Sequence, residues 1–559
     1  MAIKLAKNVI FCVTVLAGVA LVYWWINPNI SATALSMSEL ATAQRLSDPS
    51  VQVDDAEALS ALNDAFQSDW EQARISPASS APPLKIARRL SLGLSGSIPS
   101  VQEIRVLQQQ PSHEQIHFWV SHLLRQKRTS DFLAERLARA LVGIEDGPFL
   151  VYRRRRFVDW LSNEIFTARP YDEIVADLLN DDGIWTDSPA VNFYTRNIVP
   201  DVGKDDVPDP ITLAGRTTRA LIAMRLDCLQ CHDDFMNEIY LGDANNLRAG
   251  VQADFHQLAA FFSETRNTFF GIRDVKNQTI PYQYKLIGEQ SESILEPAVP
   301  YASELLGSKG SLRQRLTHWV THRENRPFAR SIVNRMWAIM TGQPLLEPVD
   351  NIPLGGPFPA ALELLTTDFI DHDFSLHRLI HMIACCDAFQ KDSVASFEIE
   401  NVHTQKSAVF PMTRLRPDQM AGAVIQATSM RLVDENSHVL NRLKTFDQLS
   451  RFIRRFGDPG ENEFESRGET VTQKLLMFNG KMVSECLKEN SSVAEMHWLS
   501  PDDKTTVETI FLATLSRRPT GAEEEFFLDR LSDRTVSKKR QVADIYWSLI
   551  NSLEFSWNH

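Results

Sequence analysis

Cys228-Leu229-Gln230-Cys231-His232 is where this chain places side chains of a suitable type at a spacing that does defined chemistry. Two cysteines three positions apart, followed at once by a histidine, form C-x-x-C-H, the attachment pattern of c-type haem. The two thiols suit the two vinyl groups along one haem edge, and the adjacent imidazole is then held under the iron. The expectation is one covalent haem c, bound through Cys228 and Cys231, with His232 as the proximal iron ligand. For the distal position the candidate is His256, in the apolar segment 255–262; a packed helix histidine is the alternative. Met224 and Met236 lie within eight residues of His232, which makes the opposite haem face awkward to reach. The run Arg153–Arg156 offers bidentate hydrogen bonds to haem propionates, against a solvated helix face or contact with anionic lipid.

The same cysteines admit other readings. A thioredoxin-like redox pair needs a βαβ context that the flanking sequence lacks, a zinc site needs a second ligand pair, and a structural disulfide remains open. Of the other cysteines, Cys12 lies in an apolar run, and Cys486 stands alone and is expected in the core. Cys385 and Cys386 are adjacent, a spacing that disfavours a disulfide and suggests buried thiols. The sequence contains no G-x-S-x-G, H-E-x-x-H, phosphate-loop or dinucleotide fingerprint, and no carboxylate pair stands out as an acid and base. No catalytic residue is assigned.

Haem attachment of this kind requires export, and the amino terminus agrees. Residues 9–26 are uncharged and apolar, about long enough for a helix to cross the hydrocarbon core. Lys4 and Lys7 precede them, and no Lys or Arg follows until Arg45, which orients the rest of the chain outward. The expectation is an inner-membrane anchor with the bulk of the chain in a bacterial periplasm. A cleaved signal peptide, with Ala32-Thr33-Ala34 as a possible site, is the alternative.

The elements that must position the motif read as helices. Phe132, Leu133, Leu137 and Leu141 recur at three and four; Ile332, Val333, Trp337 and Met340 form a second stripe, and Leu376, Leu379, Ile380 and Ile383 a third. Strand-like alternation is hard to find. The expected fold is mainly α, with two helical domains after an N-terminal transmembrane or signal-anchor helix. The boundaries are 1–30 for the anchor, 31–83 for a tether with one short helix, 84–290 for the domain carrying C-x-x-C-H, 291–311 for a linker rich in Ser, Pro and Gly, and 312–559 for a second helical domain. At 559 residues, 43% hydrophobic and 23% charged, the chain is ordinary globular material. Its net charge of −13 argues against general nucleic-acid binding, which needs a basic face.

Several segments resemble a known family. Ile86–Ser100, IARRLSLGLSGSIPS, is similar to the RRL-x-LDLTGLPPT opening of the planctomycete-type cytochrome c domain; Leu226–Asp233, LDCLQCHD, resembles its LQCAQCHD segment, and Asp254–Phe262 its LAAFF stretch. Pro327–Asp350 resembles the opening of the companion domain, and Arg414–Gln419, Thr470–Asn479, Leu515–Thr520 and Trp547–Phe555 follow as its later landmarks. The resemblance covers about 84–559 and implies a cytochrome element and export, not a substrate. This chain departs from it at Asp234 and Phe235, where relatives often continue C-H-D-H-P, and at Gly93 and Ser97, where they carry Asp and Leu. The separate upstream cytochrome module of many relatives is absent, which implies a single haem. The expected role is electron transfer or redox sensing with an unidentified redox partner protein. Alternatives are an exported enzyme to which the haem domain supplies electrons, or a surface scaffold with a structural haem.

Overall fold

The computed structural model describes residues 49–145, 147–148, 151–199, 207–236, 238–243, 246–275, 280–429, 451–458, 460, 463–464, 470–487 and 500–559. The chain divides into two units, residues 1–54 and residues 55–559. Among the described residues no helix is long and apolar enough to cross a membrane. The stretch 9–26, expected as the anchor, lies outside them, as does Cys12.

The larger unit is mainly helical, and the apolar stripes explain why. The helix Arg326–Thr341 opens on Pro327 and stops at Gly342 with φ 91°, and it buries Ile332, Val333, Trp337 and Met340 together. The helix Leu376–Cys385 starts where the Ser375 hydroxyl accepts the Arg378 N–H, and buries Leu376, Leu379, Ile380 and Ile383. In Lys127–Val142 the buried face is Leu133, Leu137 and Leu141, with Phe132 at its half-buried margin. The described strands form five two-stranded antiparallel sheets, each strand four residues or fewer. Such short ribbons leave too little alternation to be read from sequence.

Segments expected as connectors pack. The helix Pro49–Ala73 is longer than the short helix expected within 31–83, and its Leu62, Phe66 and Trp70 are buried at four-residue spacing. The Trp70 indole donates to the Lys406 carbonyl at 2.8 Å. Within 291–311, Tyr301 is buried, its hydroxyl donating to Asn325 Oδ1 at 2.8 Å while its carbonyl accepts the Trp319 indole N–H at 3.1 Å. The main hydrophobic core therefore draws on residues from both sides of that segment.

A second core gathers Leu415, Val424, Val507, Phe511, Tyr546 and Phe555, and takes Leu92, Ile98, Val101 and Ile104 from far upstream. The helix Pro83–Ser95 joins the two cores: Ile86, Leu90 and Leu94 enter the first and Leu92 the second. Its arginines are buried because backbone carbonyls receive them. Arg88 donates to the carbonyls of Thr514 and Phe555, and Arg89 to those of Phe389, Lys391 and His559. The arginine pair thus ties the start of the unit to its end.

Candidate functional site

The C-x-x-C-H motif sits on a turn fixed from below. The helix Pro210–Leu221 begins with the Asp209 carboxylate accepting the N–H groups of Ile211 and Thr212, each at 3.2 Å. The spacing of Leu221, Met224 and Cys228 predicts that this helix runs into the motif. It stops at Leu221 instead, because Ala223 takes a left-handed conformation with φ 49° that an α-helix cannot continue through. The chain re-forms as a 3-10 turn, Asp227–Gln230. On it, Leu229 is fully buried while Cys228 and Cys231 are exposed free thiols, not a disulfide. Burying the leucine contributes roughly 2 kcal/mol toward holding the turn down. Gly250 makes room for it: a Cβ there would lie 2.7 Å from Leu229 Cδ1.

The two acidic residues after the motif serve the backbone. Asp233 accepts the Gln252 N–H at 2.8 Å; Asp234 accepts those of Met236 at 3.1 Å and Ile239 at 2.7 Å. The Asp234 N–H donates to the Gly250 carbonyl at 3.0 Å, closing the hairpin Tyr240–Asp243 and Asn246–Ala249 back toward the motif. Asp234 thus holds the loop through three hydrogen bonds.

His232 is exposed, with Nδ1 2.7 Å from the Asp233 carbonyl oxygen. A carbonyl only accepts, so Nδ1 carries a proton, and in the neutral ring Nε2 then has the lone pair with which a histidine ligates a metal. The Phe235 ring lies 5.8 Å from the imidazole, centroid to centroid; Phe235 and Met236 are 73% and 76% exposed, and Tyr240, Leu247 and Val251, nearby in sequence, are also exposed.

His256 lies in the helix Gln252–Ala259 and is fully buried. Its Nε2 is 3.0 Å from the Gln230 carbonyl, within the motif, and its Nδ1 is 3.0 Å from the Tyr282 hydroxyl. Because the carbonyl must accept, Nε2 donates and Nδ1 accepts from Tyr282, whose phenol burial keeps protonated. The Tyr284 ring stacks on the imidazole with centroids 3.5 Å apart. Burial pushes the His256 pKa down, partly offset by the Gln230 bond, so the ring is neutral. Both nitrogens are thus engaged by protein groups. This arrangement does not support His256 as an iron ligand; it positions the motif by holding Gln230, whose carbonyl also accepts from Gln252 Nε2 at 3.0 Å.

Of the Arg153–Arg156 run, Arg155 and Arg156 are exposed on a helix face, and the first two are engaged elsewhere. Arg154 grips Glu135 with two bonds of 2.8 and 3.0 Å, and Arg153 donates to the Tyr152 carbonyl and lies over the Trp185 ring. Cys385 and Cys386 are both buried thiols, and burial pushes the Cys386 thiol up to about 12; Cys486, expected in the core, is only half-buried. Two further features escape sequence reasoning. One is a cavity of about 960 Å³ lined by Arg225, Glu347, Asp350, Arg414, Arg416 and Glu463 among others. The other is the meeting of His117 with His381 and Cys385, although 264 residues of chain separate His117 from His381.

No curated protein and no solved structure matches this chain. Two family models match in tandem, and neither description assigns a cofactor or an activity. The resemblance to the planctomycete-type pair holds at that level, without a cytochrome c domain being shown. The chain carries, over residues 61–267, the domain described as PSCyt2, protein of unknown function (DUF1549), followed over residues 312–531 by the domain described as PSD1, protein of unknown function (DUF1553).

Proposed function

We propose that Cys228, Cys231 and His232 attach and ligate one haem c, and that the protein is an exported, membrane-anchored electron carrier or redox sensor. The observation that carries this reading is the state of the motif. Two exposed free thiols and an imidazole presenting Nε2 share one turn, which buried Leu229 and the His256–Gln230 bond hold in place. The residues fit the group. Each thiol can add across one vinyl double bond, sulfur to one carbon and hydrogen to the other, with nothing released. His232 then has its orientation fixed by the Asp233 carbonyl, which also raises its basicity as a ligand. Phe235, Met236 and Tyr240 are exposed apolar side chains near the motif in sequence, available to pack on an apolar ring. The haem would contribute a one-electron couple, whose potential follows axial ligation and burial. Gels run under denaturing conditions and stained for haem, after expression with haem-maturation machinery, test the attachment. Wild type should stain and Cys228→Ser/Cys231→Ser should not; equal staining of both refutes it.

A second reading, an enzyme whose carboxy-terminal part binds a substrate, draws on the 960 Å³ cavity. That volume is typical of small-molecule sites. Buried Arg416 lines it, and its Nε and Nη2 have no hydrogen-bond partner among the described residues, which favours an anionic ligand. Equilibrium binding of carboxylated and sulfated sugars to wild type and to Arg416→Gln tests this reading. Affinity lost in the variant favours it, and binding by neither protein counts against it.

A further inference from the structure

The helices Gln115–Leu124 and Leu376–Cys385 pack against each other, and three metal-ligating side chains meet where they do. His381 and Cys385 are four residues apart on one helix, so they share a face. His117 comes from the other helix. His117 Nδ1 lies 3.1 Å from His381 Nε2, and Cys385 Sγ lies 3.5 Å from the first and 3.8 Å from the second. An ion at the ordinary zinc distances, about 2.0–2.1 Å from nitrogen and about 2.3 Å from sulfur, sets tetrahedral ligand edges of about 3.3 Å for N···N and about 3.6 Å for N···S. The observed triangle agrees with that geometry on all three sides.

We propose that His117, His381 and Cys385 bind one borderline-soft transition-metal dication of the zinc class, through Nδ1, Nε2 and Sγ. Two imidazoles and a thiolate select such an ion over magnesium or calcium, which take oxygen ligands. Cys385 is buried, His381 half-buried and His117 exposed, so the triangle opens to solvent on its His117 side. Three protein ligands with a fourth position left to water are the arrangement of a reactive zinc site rather than a closed structural one. Binding ionises the thiol, Sγ–H giving its proton to buffer as the metal–sulfur bond forms, so one proton leaves per ion bound. The ion also joins the two matched domains, since His117 belongs to the first and the other two ligands to the second. None of these residues takes part in the proposed haem site.

The test uses the full chain carrying Cys228→Ser/Cys231→Ser, so that the motif thiols can neither bind the probe nor carry haem. Titration with Co²⁺ alone, followed by absorption, should show one ion bound, with d–d bands of tetrahedral intensity and a sulfur-to-cobalt charge-transfer band; excess Zn²⁺ should bleach both. Adding Cys385→Ser should abolish the charge-transfer band and weaken binding at least ~100-fold, more than the loss of an outer-shell partner does. Adding His117→Ala, an exposed residue whose loss leaves the core intact, should weaken binding similarly, and His322→Ala should not. Absence of binding, octahedral cobalt without a sulfur band, or affinity unchanged in His117→Ala overturns the proposal.

Discussion

His256→Leu separates the two roles open to a histidine beside a haem motif. Leucine keeps the buried apolar volume and removes both hydrogen bonds. The Gln230 carbonyl retains Gln252 as a donor at 3.0 Å, so its loss is small. The Tyr282 hydroxyl loses its acceptor, His256 Nδ1 at 3.0 Å, and a polar group left so in a partly buried site costs about 1–3 kcal/mol. With about 1 kcal/mol for the bond to Gln230, the variant should be less stable by roughly 2–4 kcal/mol. Tyr282→Phe alone should cost about 1 kcal/mol, and adding it to His256→Leu should recover part of the loss, because removing both partners is cheaper than removing one. Urea unfolding followed by far-UV circular dichroism at neutral pH measures all three variants. The His256 pKa is lowered in the fold, so the wild type loses stability as pH falls below the unfolded value, about 6.5. The leucine variant lacks that loss, and the gap between the two should narrow on acidification. Strictly additive costs, or a stability change under about 0.5 kcal/mol together with loss of a low-spin haem spectrum, would refute the positioning role and restore His256 as a ligand.

Three further outcomes follow from the packing. Arg89→Met should destabilise by roughly 3–5 kcal/mol in chemical denaturation, since three carbonyls lose a charged donor inside the structure; a loss below 1 kcal/mol would contradict the joining role given to the Pro83–Ser95 helix. Leu229→Ala should cost about 3 kcal/mol and lower haem staining although both cysteines remain, because the turn loses its anchor; full staining would show that the anchor is dispensable. His377 is buried, which pushes its pKa down from 6.5 to about 4 against a bond to the Ile165 backbone. Stability should therefore decline as pH falls from about 6.5 to about 4, by about 3 kcal/mol from this group alone, and His377→Gln should flatten that part of the curve.

What the sequence reveals follows the range over which its signals act. Helical stripes are local, so Val333 with Trp337, and Leu376 with Ile380, show their burial through spacing alone. The C-x-x-C-H turn is legible because all its chemistry lies within five residues. The end of the preceding helix is not, because Ala223 is a good helix former held in a left-handed conformation by its surroundings, with its carbonyl accepting the Ile352 N–H. His256 looks like a candidate ligand in sequence, since its engagement depends on Tyr282 and Tyr284, two dozen or more residues away on a three-residue strand. The burial of Arg88 and Arg89 has no local signal, for their acceptors come from the far end of the chain. The His117, His381 and Cys385 triangle has no sequence signal beyond the four-residue spacing of its last two members.

The most direct test of the central claim is the intact mass of the purified full-length protein under denaturing conditions, after expression with haem-maturation machinery. Wild type should carry the mass of one haem that survives denaturation, and Cys228→Ser/Cys231→Ser should carry none. A wild-type mass equal to the bare polypeptide would contradict covalent attachment, and an unchanged adduct in the double variant would contradict attachment at these cysteines.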